Sequence, residues 1–327
     1  MVEGQPGLEA SRLRTVLESR SIRDMAENGV VVAGPTAARG VASLLVKLSP
    51  RLRRDGSRLF LYALLLLILV INDLPLLWVV DTSLKPEGEV IAFPPTALPS
   101  SPTLQNYVRL FTVSNFGRYM LHSAVVATVV TSAVVILGTF GAYALVRFPF
   151  RFVRWLGEAS LLAYMIPSIL LLVPLVRIMY FLHLDNHLTS LMIIYTALAV
   201  PFTLWTLRSY FYGVAIELEQ AAMVDGCTRF GAFLRVVVPQ AIPGMIAAAV
   251  FAFNASWGEF LFASTLITDP NALTLSPGLL LLLPAHGIEQ WGMVMGACVL
   301  MTLPLIVLFV AFQRPLVETW GEGAVKG

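Results

Sequence analysis

Charge is what this sequence lacks. Only 13% of its 327 residues are Asp, Glu, Lys or Arg, about half the share of a soluble globular domain. A water-soluble fold of this length needs a charged surface that the chain cannot supply, which excludes most soluble enzymes. A disordered chain is excluded too, since 57% of the residues are hydrophobic. Cysteine is scarce: Cys227 and Cys298 stand far apart, without the spacing of a metal or redox pair. They read as free thiols, and a disulfide scaffold is ruled out. The net charge of +2 gives no case for nucleic-acid binding. There is no GxxxxGK[ST] loop, no HExxH and no GxSxG, so neither a P-loop nucleotide site nor those hydrolase chemistries are encoded.

What is abundant is apolar. The mean hydropathy is +0.78, the mark of a polytopic membrane protein. Six stretches reach the roughly 20 apolar residues a spanning helix needs. They lie near 59–80, 120–146, 159–182, 188–212, 242–267 and 291–312. Pro75, Pro167, Pro174, Pro201 and Pro304 fall within them as expected kinks. The first run begins too late for a cleavable signal peptide and is expected to stay as an anchor.

Lys and Arg then orient the chain. Ten precede the first span, three lie between the second and third, three between the fourth and fifth, and two follow the sixth. Only Lys85, Arg109 and Arg118 fall on the opposite side, and Arg177 lies within a span. Eighteen against three places both termini in the cytoplasm. Residues 1–58 read as a cytoplasmic extension. Its VASLLVKLSPRLRR end is either an interfacial helix or a tail with ordinary positive-inside charge, and the plain tail is favoured. The proline-rich loop 81–119 is expected to be extended. His183 and His187, four apart in a short loop without a third ligand, make a poor metal site.

The connection 213–240 is too polar to span and too patterned for a loop. Ala221 and Ala222 offer a small helical surface, and Asp225-Gly226 breaks the helix. Thr228 can cap a second one. Phe230, Phe233, Leu234 and Val237 follow as one apolar stripe, and Pro239 is expected to end the run. Such a stripe lies on lipid or docks into a groove of a partner, and the residues alone do not choose.

Gln220-Ala221-Ala222-Met223-Val224-Asp225-Gly226, followed nine residues later by Val236-Val237-Val238-Pro239, resembles the EAA signature of ATP-binding-cassette importer permeases. Gln220 stands for the motif's Glu, and Val236 and Val238 for its Ile and Leu; Gln220 loses a charge that Glu219 beside it could replace. Further elements resemble the six-span sugar permeases of the maltose and trehalose type. These are Ser83-Leu84-Lys85-Pro86, Thr103-Leu104-Gln105-Asn106-Tyr107, Ala142 to Phe148, Leu184-Asp185-Asn186, Trp257-Gly258-Glu259-Phe260 and the closing Gly323-Ala324-Val325-Lys326-Gly327, with His122-Ser123 where Asn-Ser is usual. The resemblance covers about residues 59–327.

It implies an all-α type I importer permease with six transmembrane helices over 59–312 and a cytoplasmic tail over 313–327. It also implies a second homologous permease, two ATPase subunits that hold the ATP and Mg, and an extracytoplasmic sugar-binding protein. No metal, no cofactor and no covalent catalysis are expected on this chain. The resemblance makes 213–240 a coupling segment docked on the ATPase, through Glu219, Gln220, Ala221, Ala222, Asp225, Gly226, Phe230, Phe233, Leu234 and Pro239. It sends the tail Gly323–Gly327 to the same interface, and the 268–290 loop toward the binding protein. The implied cargo is a di- or oligosaccharide; glycerol-phosphate or a polyol is the alternative.

Glu259 is an intramembrane carboxylate and so a candidate for the translocation pathway. Trp257 can stack on a sugar or pack between helices, and Asn254 can donate to a hydroxyl or to a neighbouring helix. Asp73, beside Asn72 and Pro75, reads as structural, and Arg177 as snorkelling or paired with a partner subunit. An ion-driven secondary transporter is the competitor from another class. It predicts inverted repeats and several embedded carboxylates, neither of which is evident.

Overall fold

The computed structural model describes residues 60–148, 150–283 and 290–324, with side chains to 313. The extension 1–58, residues 284–289 of the long loop and the tail residues Val325, Lys326 and Gly327 lie outside the described residues. Two compact units divide at Leu74 and Pro75, within the first helix. The first unit is described as helix from Phe60 to Leu74. Everything below concerns the second, Pro75–Gly327.

Residues Phe60–Ser83 are helical and are called α1. α2 is Gln105–Val113, α3 Phe116–Arg147, α4 Arg151–Tyr164, α5 Ser168–Phe181 and α6 Leu188–Gly213. α7 is Ile216–Val224, and α8 runs Arg229–Trp257 with one π-helical turn at Phe233–Val237. α9 is Leu261–Leu266, α10 Leu275–Leu280 and α11 Trp291–Ala324. Among the described residues five helices, α1, α3, α6, α8 and α11, are long and apolar enough to cross a membrane.

The expected third span, 159–182, is not one helix. α4 and α5 meet at 109°. Each has 14 residues, about 21 Å of rise against a hydrocarbon core of about 30 Å, so neither crosses alone. Pro167 causes the break: it has no N–H to donate and turns Ile166 out of helical geometry. The expected fifth span also shifts. Its helix begins at Arg229, well before 242, and stops at Trp257; α9 follows after Gly258–Phe260. Pro239 does not end the run as expected. It sits at the start of the straight part of α8, just after the π-turn, where a missing N–H is tolerated.

The loop expected to be extended holds a helical turn at Glu87–Val90, then α2, and α3 starts four residues early. Pro86 precedes the first turn, where proline is compatible with helix. The loop's motif residues bind one another. Asn106 Nδ2 donates to the Ser83 and Lys85 carbonyls, both at 2.8 Å. Ser83 and Tyr107 share a 2.7 Å hydroxyl bond, and buried Lys85 pairs with Asp81 and donates to the Thr96 carbonyl at 2.7 Å. Arg109 pairs with Glu87.

α3, α6 and α8 form the centre. In lipid, such packing depends on small residues that let backbones approach. A Cβ at Gly138 of α3 would overlap the Thr203 methyl of α6. A Cβ at Gly157 would lie 2.7 Å from Leu145 Cδ2, so α4 closes on α3 the same way. One apolar cluster runs from Leu110 through Val130 and Ile194 to Leu266. A second, smaller one gathers Tyr143, Leu207, Phe211, Phe233 and Val237 at the α3–α6–α8 end.

Candidate functional site

That second cluster is the floor on which α7 and the start of α8 rest. α7 closes in a Schellman motif. Gly226 N–H donates to Met223 O at 3.1 Å and Cys227 N–H to Ala222 O at 3.0 Å, satisfying carbonyls the helix end would leave open. Gly226 takes φ +92°, a left-handed value that disfavours any side chain. Thr228 then caps α8, its hydroxyl accepting from Gly231 N–H at 3.1 Å. Asp225 is exposed at the break.

Glu219 turns inward from α7 and is 2% exposed. It accepts from Arg147 Nε at 2.9 Å and from the Tyr143 hydroxyl, both on the last turns of α3. Arg147 also donates to the Val214 carbonyl at 2.9 Å. Arg229 Nε stands 4.0 Å from the same carboxylate, with its guanidinium over the Phe148 ring. Glu219 is therefore committed to α3 and does not replace the surface charge lost at Gln220. Gln220 and Ala221 are exposed, and Ala222 is half-buried.

The expected docking stripe splits in two. Phe233 is 2% exposed, its ring 4.4 Å from that of Tyr143, and Val237 is fully buried. Both belong to the floor, because the helix carries them toward α3 and α6. Phe230 and Leu234 remain outside, at 58% and 46% exposure. Three apolar residues of α7 are exposed as well: Ile216, Leu218 and Val224, the last 88% exposed. The outward positions Glu217, Gln220, Ala221 and Val224 follow helical spacing, so the sequence carries this signal.

A second site lies along the spans. A cavity of about 210 Å³ is walled by α3, α4, α5, α6, α8 and Phe262, with Tyr164, Ser168, Tyr195, Ser256 and Glu259 as its polar groups. Glu259 accepts from the Tyr195 hydroxyl. It also accepts from Phe262 N–H at 3.0 Å and Ala263 N–H at 3.1 Å, the open donors at the start of α9. The α4–α5 break falls beside it, since Tyr164 and Ser168 flank the bend. Trp257 is not placed to stack on a ligand: it is 2% exposed and donates to the Met301 carbonyl at 2.9 Å. It packs between α8 and α11. Asn254 is exposed and outside the cavity lining, and Arg177 and Asp73 are exposed.

At the far ends of these helices the chain ties its loops down. Asn186 Oδ1 accepts from Thr268 N–H at 2.7 Å and Asp269 N–H at 2.9 Å. Ser123 Oγ accepts from Leu275 N–H at 2.8 Å, and His122 Nδ1 lies 3.0 Å from Leu273 O. His183 adopts φ +56° at the end of α5, so the helical spacing with His187 is not realised. No metal-holding group occurs among the described residues.

Residues 135–318 match the family model for the binding-protein-dependent transport system inner membrane component. The chain belongs to that family. The permease is 36% identical to the sulfoquinovosyl glycerol transport system permease of Agrobacterium fabrum, over 80% of this chain and 91% of the relative. It is 34% identical to the trehalose transport system permease of Mycobacterium tuberculosis, over 78% and 92%. The trehalose/maltose transport system permease of Thermococcus litoralis is 31% identical over 80% and 94%. By fold the permease is similar to a chain from the crystal structure of a bacterial ABC transporter involved in alginate import. The TM-score is 0.72 at 18% identity, covering 81% of this chain and 98% of that one. The permease thus belongs with the sugar importers of the ATP-binding-cassette class and has their importer fold.

Proposed function

We propose that this chain is the membrane-spanning subunit of an ATP-driven importer for a neutral di- or oligosaccharide, and that α7 with the start of α8 is its coupling segment. One observation carries the reading: the segment has two faces with different jobs. Its inner face is bolted to the last turns of α3 by Glu219, Tyr143 and Arg147. Its outer face exposes Gln220, Ala221, Val224, Phe230 and Leu234 around a fixed turn. A partner that moves the outer face moves the spans with it. An ATPase pair carrying ATP and Mg suits that role, with both termini on its side of the membrane, a second permease completing the pathway and a binding protein delivering the sugar. The tail Gly323–Gly327 would contact the same partner.

The cavity points to the class of cargo. Its polar lining is tyrosine and serine hydroxyls with Glu259 as the one formal charge. Hydroxyls and a carboxylate suit the hydroxyls of a neutral sugar, and they disfavour an anionic cargo such as a glycerol-phosphate.

The test is purification of the tagged full-length chain from membranes that also carry its partners, with wild type compared against Val224→Asp. Co-purification of a second permease and an ATPase, with the ATPase lost in the variant, is expected. Retention of the ATPase by Val224→Asp would remove the coupling assignment. Transport by the chain alone under an ion gradient would replace the importer reading with a secondary transporter.

A further inference from the structure

We propose a binding site for the phosphodiester of an anionic phospholipid between the end of α3, α4 and α6. A cavity of about 430 Å³ opens there, within the roughly 300–1,000 Å³ of small-molecule sites. Its charged walls are Arg147, Arg154, Arg208 and Glu158, with Trp205 and Gly157 beside them. The transport reading uses one of these, Arg147, which Glu219 neutralises.

Arg154 and Arg208 have no carboxylate within 4.0 Å among the described residues. Arg208 stacks over the Trp205 ring at 4.5 Å, which leaves the edge of its guanidinium for an anion. Two unpaired arginines facing one carboxylate give the cavity one net positive charge. That balance matches a monoanionic phosphodiester better than a dianionic phosphate. Guanidinium groups recognise phosphate oxygens by paired hydrogen bonds.

The cavity also lies at headgroup level. α3 ends at Arg147 and α6 at Gly213, and α4 begins there with Phe150, Phe152 and Trp155 all more than 60% exposed nearby. Exposed aromatics at the end of a span mark the membrane–water boundary, and basic pockets between spans on the positive-inside face take anionic headgroups. Acyl chains would follow the exposed apolar surface of Leu156, Leu161 and Leu162 of α4.

The test is native mass spectrometry of the full-length chain released from detergent, titrated with dioleoyl-phosphatidylglycerol or dioleoyl-phosphatidylcholine. Wild type is expected to retain one phosphatidylglycerol selectively. The Arg154→Gln/Arg208→Gln double variant is expected to bind it about thirtyfold more weakly, the combined worth of two interfacial cations. Glu158→Gln should tighten it, and Arg151→Gln, on the same helix but outside the cavity, should leave it unchanged. Arg154→Lys/Arg208→Lys should keep most of the binding, which separates charge loss from misfolding. Equal retention of phosphatidylcholine, or full retention by the double Gln variant, would overturn the site. Displacement of the lipid by millimolar inorganic phosphate would reassign it to a free anion.

Discussion

Glu219→Gln isolates the bond between α7, the proposed coupling helix, and α3. Glu219 and Arg147 are 2% and 6% exposed in their side chains and 2.9 Å apart. Breaking a buried pair by removing one partner costs about 3–5 kcal/mol, mainly because the other charge is left buried. Here the loss is smaller. Arg147 keeps its bond to the Val214 carbonyl, and Gln can still accept from the Tyr143 hydroxyl. A cost of about 2–3 kcal/mol is expected. Arg147→Met alone should cost a similar amount, because it strands the carboxylate. The double variant should cost clearly less than the sum, with a coupling of at least about 1 kcal/mol. Denaturant unfolding of the purified chain in detergent, followed by its intrinsic tryptophan fluorescence, supplies the cycle. Substrate-stimulated ATPase activity of the reconstituted complex supplies the functional readout. Glu219→Gln should leave the ATPase attached and its basal turnover intact while reducing stimulation. Additive losses, within about 0.5 kcal/mol, would refute the latch. Unchanged stimulation would refute its part in transmission.

Four other outcomes follow. Gly226→Val should strain the turn by about 1–2 kcal/mol, since φ is +92°, and weaken ATPase co-purification while membrane insertion stays normal. Gly138→Leu should force α3 and α6 apart at Thr203, at about 1–3 kcal/mol, read as a lower unfolding temperature. Glu259→Ala should remove both the α9 cap and the Tyr195 partner, at about 1–2 kcal/mol; uptake of the cognate sugar should fall, and Glu259→Gln should restore stability more than uptake. Hydrogen bonding from Thr96, then from the Ser100 N–H and hydroxyl, with Lys85 nearby, holds Glu89 below its ordinary value of 4.5 against the opposing effect of burial. The depressed folded-state value means its contribution is complete above about pH 4.5 and is lost as pH falls through the lower value. Hydrogen exchange at Ser100 N–H should therefore lose its protection on acidification in wild type but not change with pH in Glu89→Gln.

The sequence was most legible where a single physical rule decides. Apolar length located the α3, α6 and α11 spans, and the Asp225-Gly226 break and Thr228 cap are local chemistry read from adjacent residues. What it hid depends on which way a helix faces in three dimensions. Phe233 and Phe230 share one apolar period, yet only the packing of α8 on α3 decides that Phe233 goes in and Phe230 out. Glu219 looked like a spare surface charge because its partners, Tyr143 and Arg147, are more than seventy residues away. The α4–α5 break was encoded in Pro167, but proline inside a span is often tolerated, so its presence alone does not separate a kink from a 109° turn. The α2 helix is hidden because five prolines precede it in the same loop, although its own nine residues contain none.

The buried carboxylate Glu219 and the half-buried Glu259 solve the same problem at different places. Each acidic side chain accepts from a tyrosine on a neighbouring span, Tyr143 for Glu219 and Tyr195 for Glu259. Glu259 sits where helical geometry stops, between Trp257 and α9, whereas Glu219 lies inside the short helix α7 that follows the end of α6. A carboxylate has several acceptor positions, so it can join a broken backbone to an intact helix in one step. Such joints let α3 and α6 stay continuous while shorter elements change direction beside them. Within the proposed transport cycle, spans joined to short, bent pieces through such hydrogen bonds would move with them as levers. If the two joints belong to one lever system, weakening Glu219 should alter the sugar dependence of transport as well as its ATPase stimulation. Weakening the Glu259 joint should leave ATPase binding untouched, because Glu259 follows the C-terminal end of α8, whereas α7 adjoins its N-terminal end.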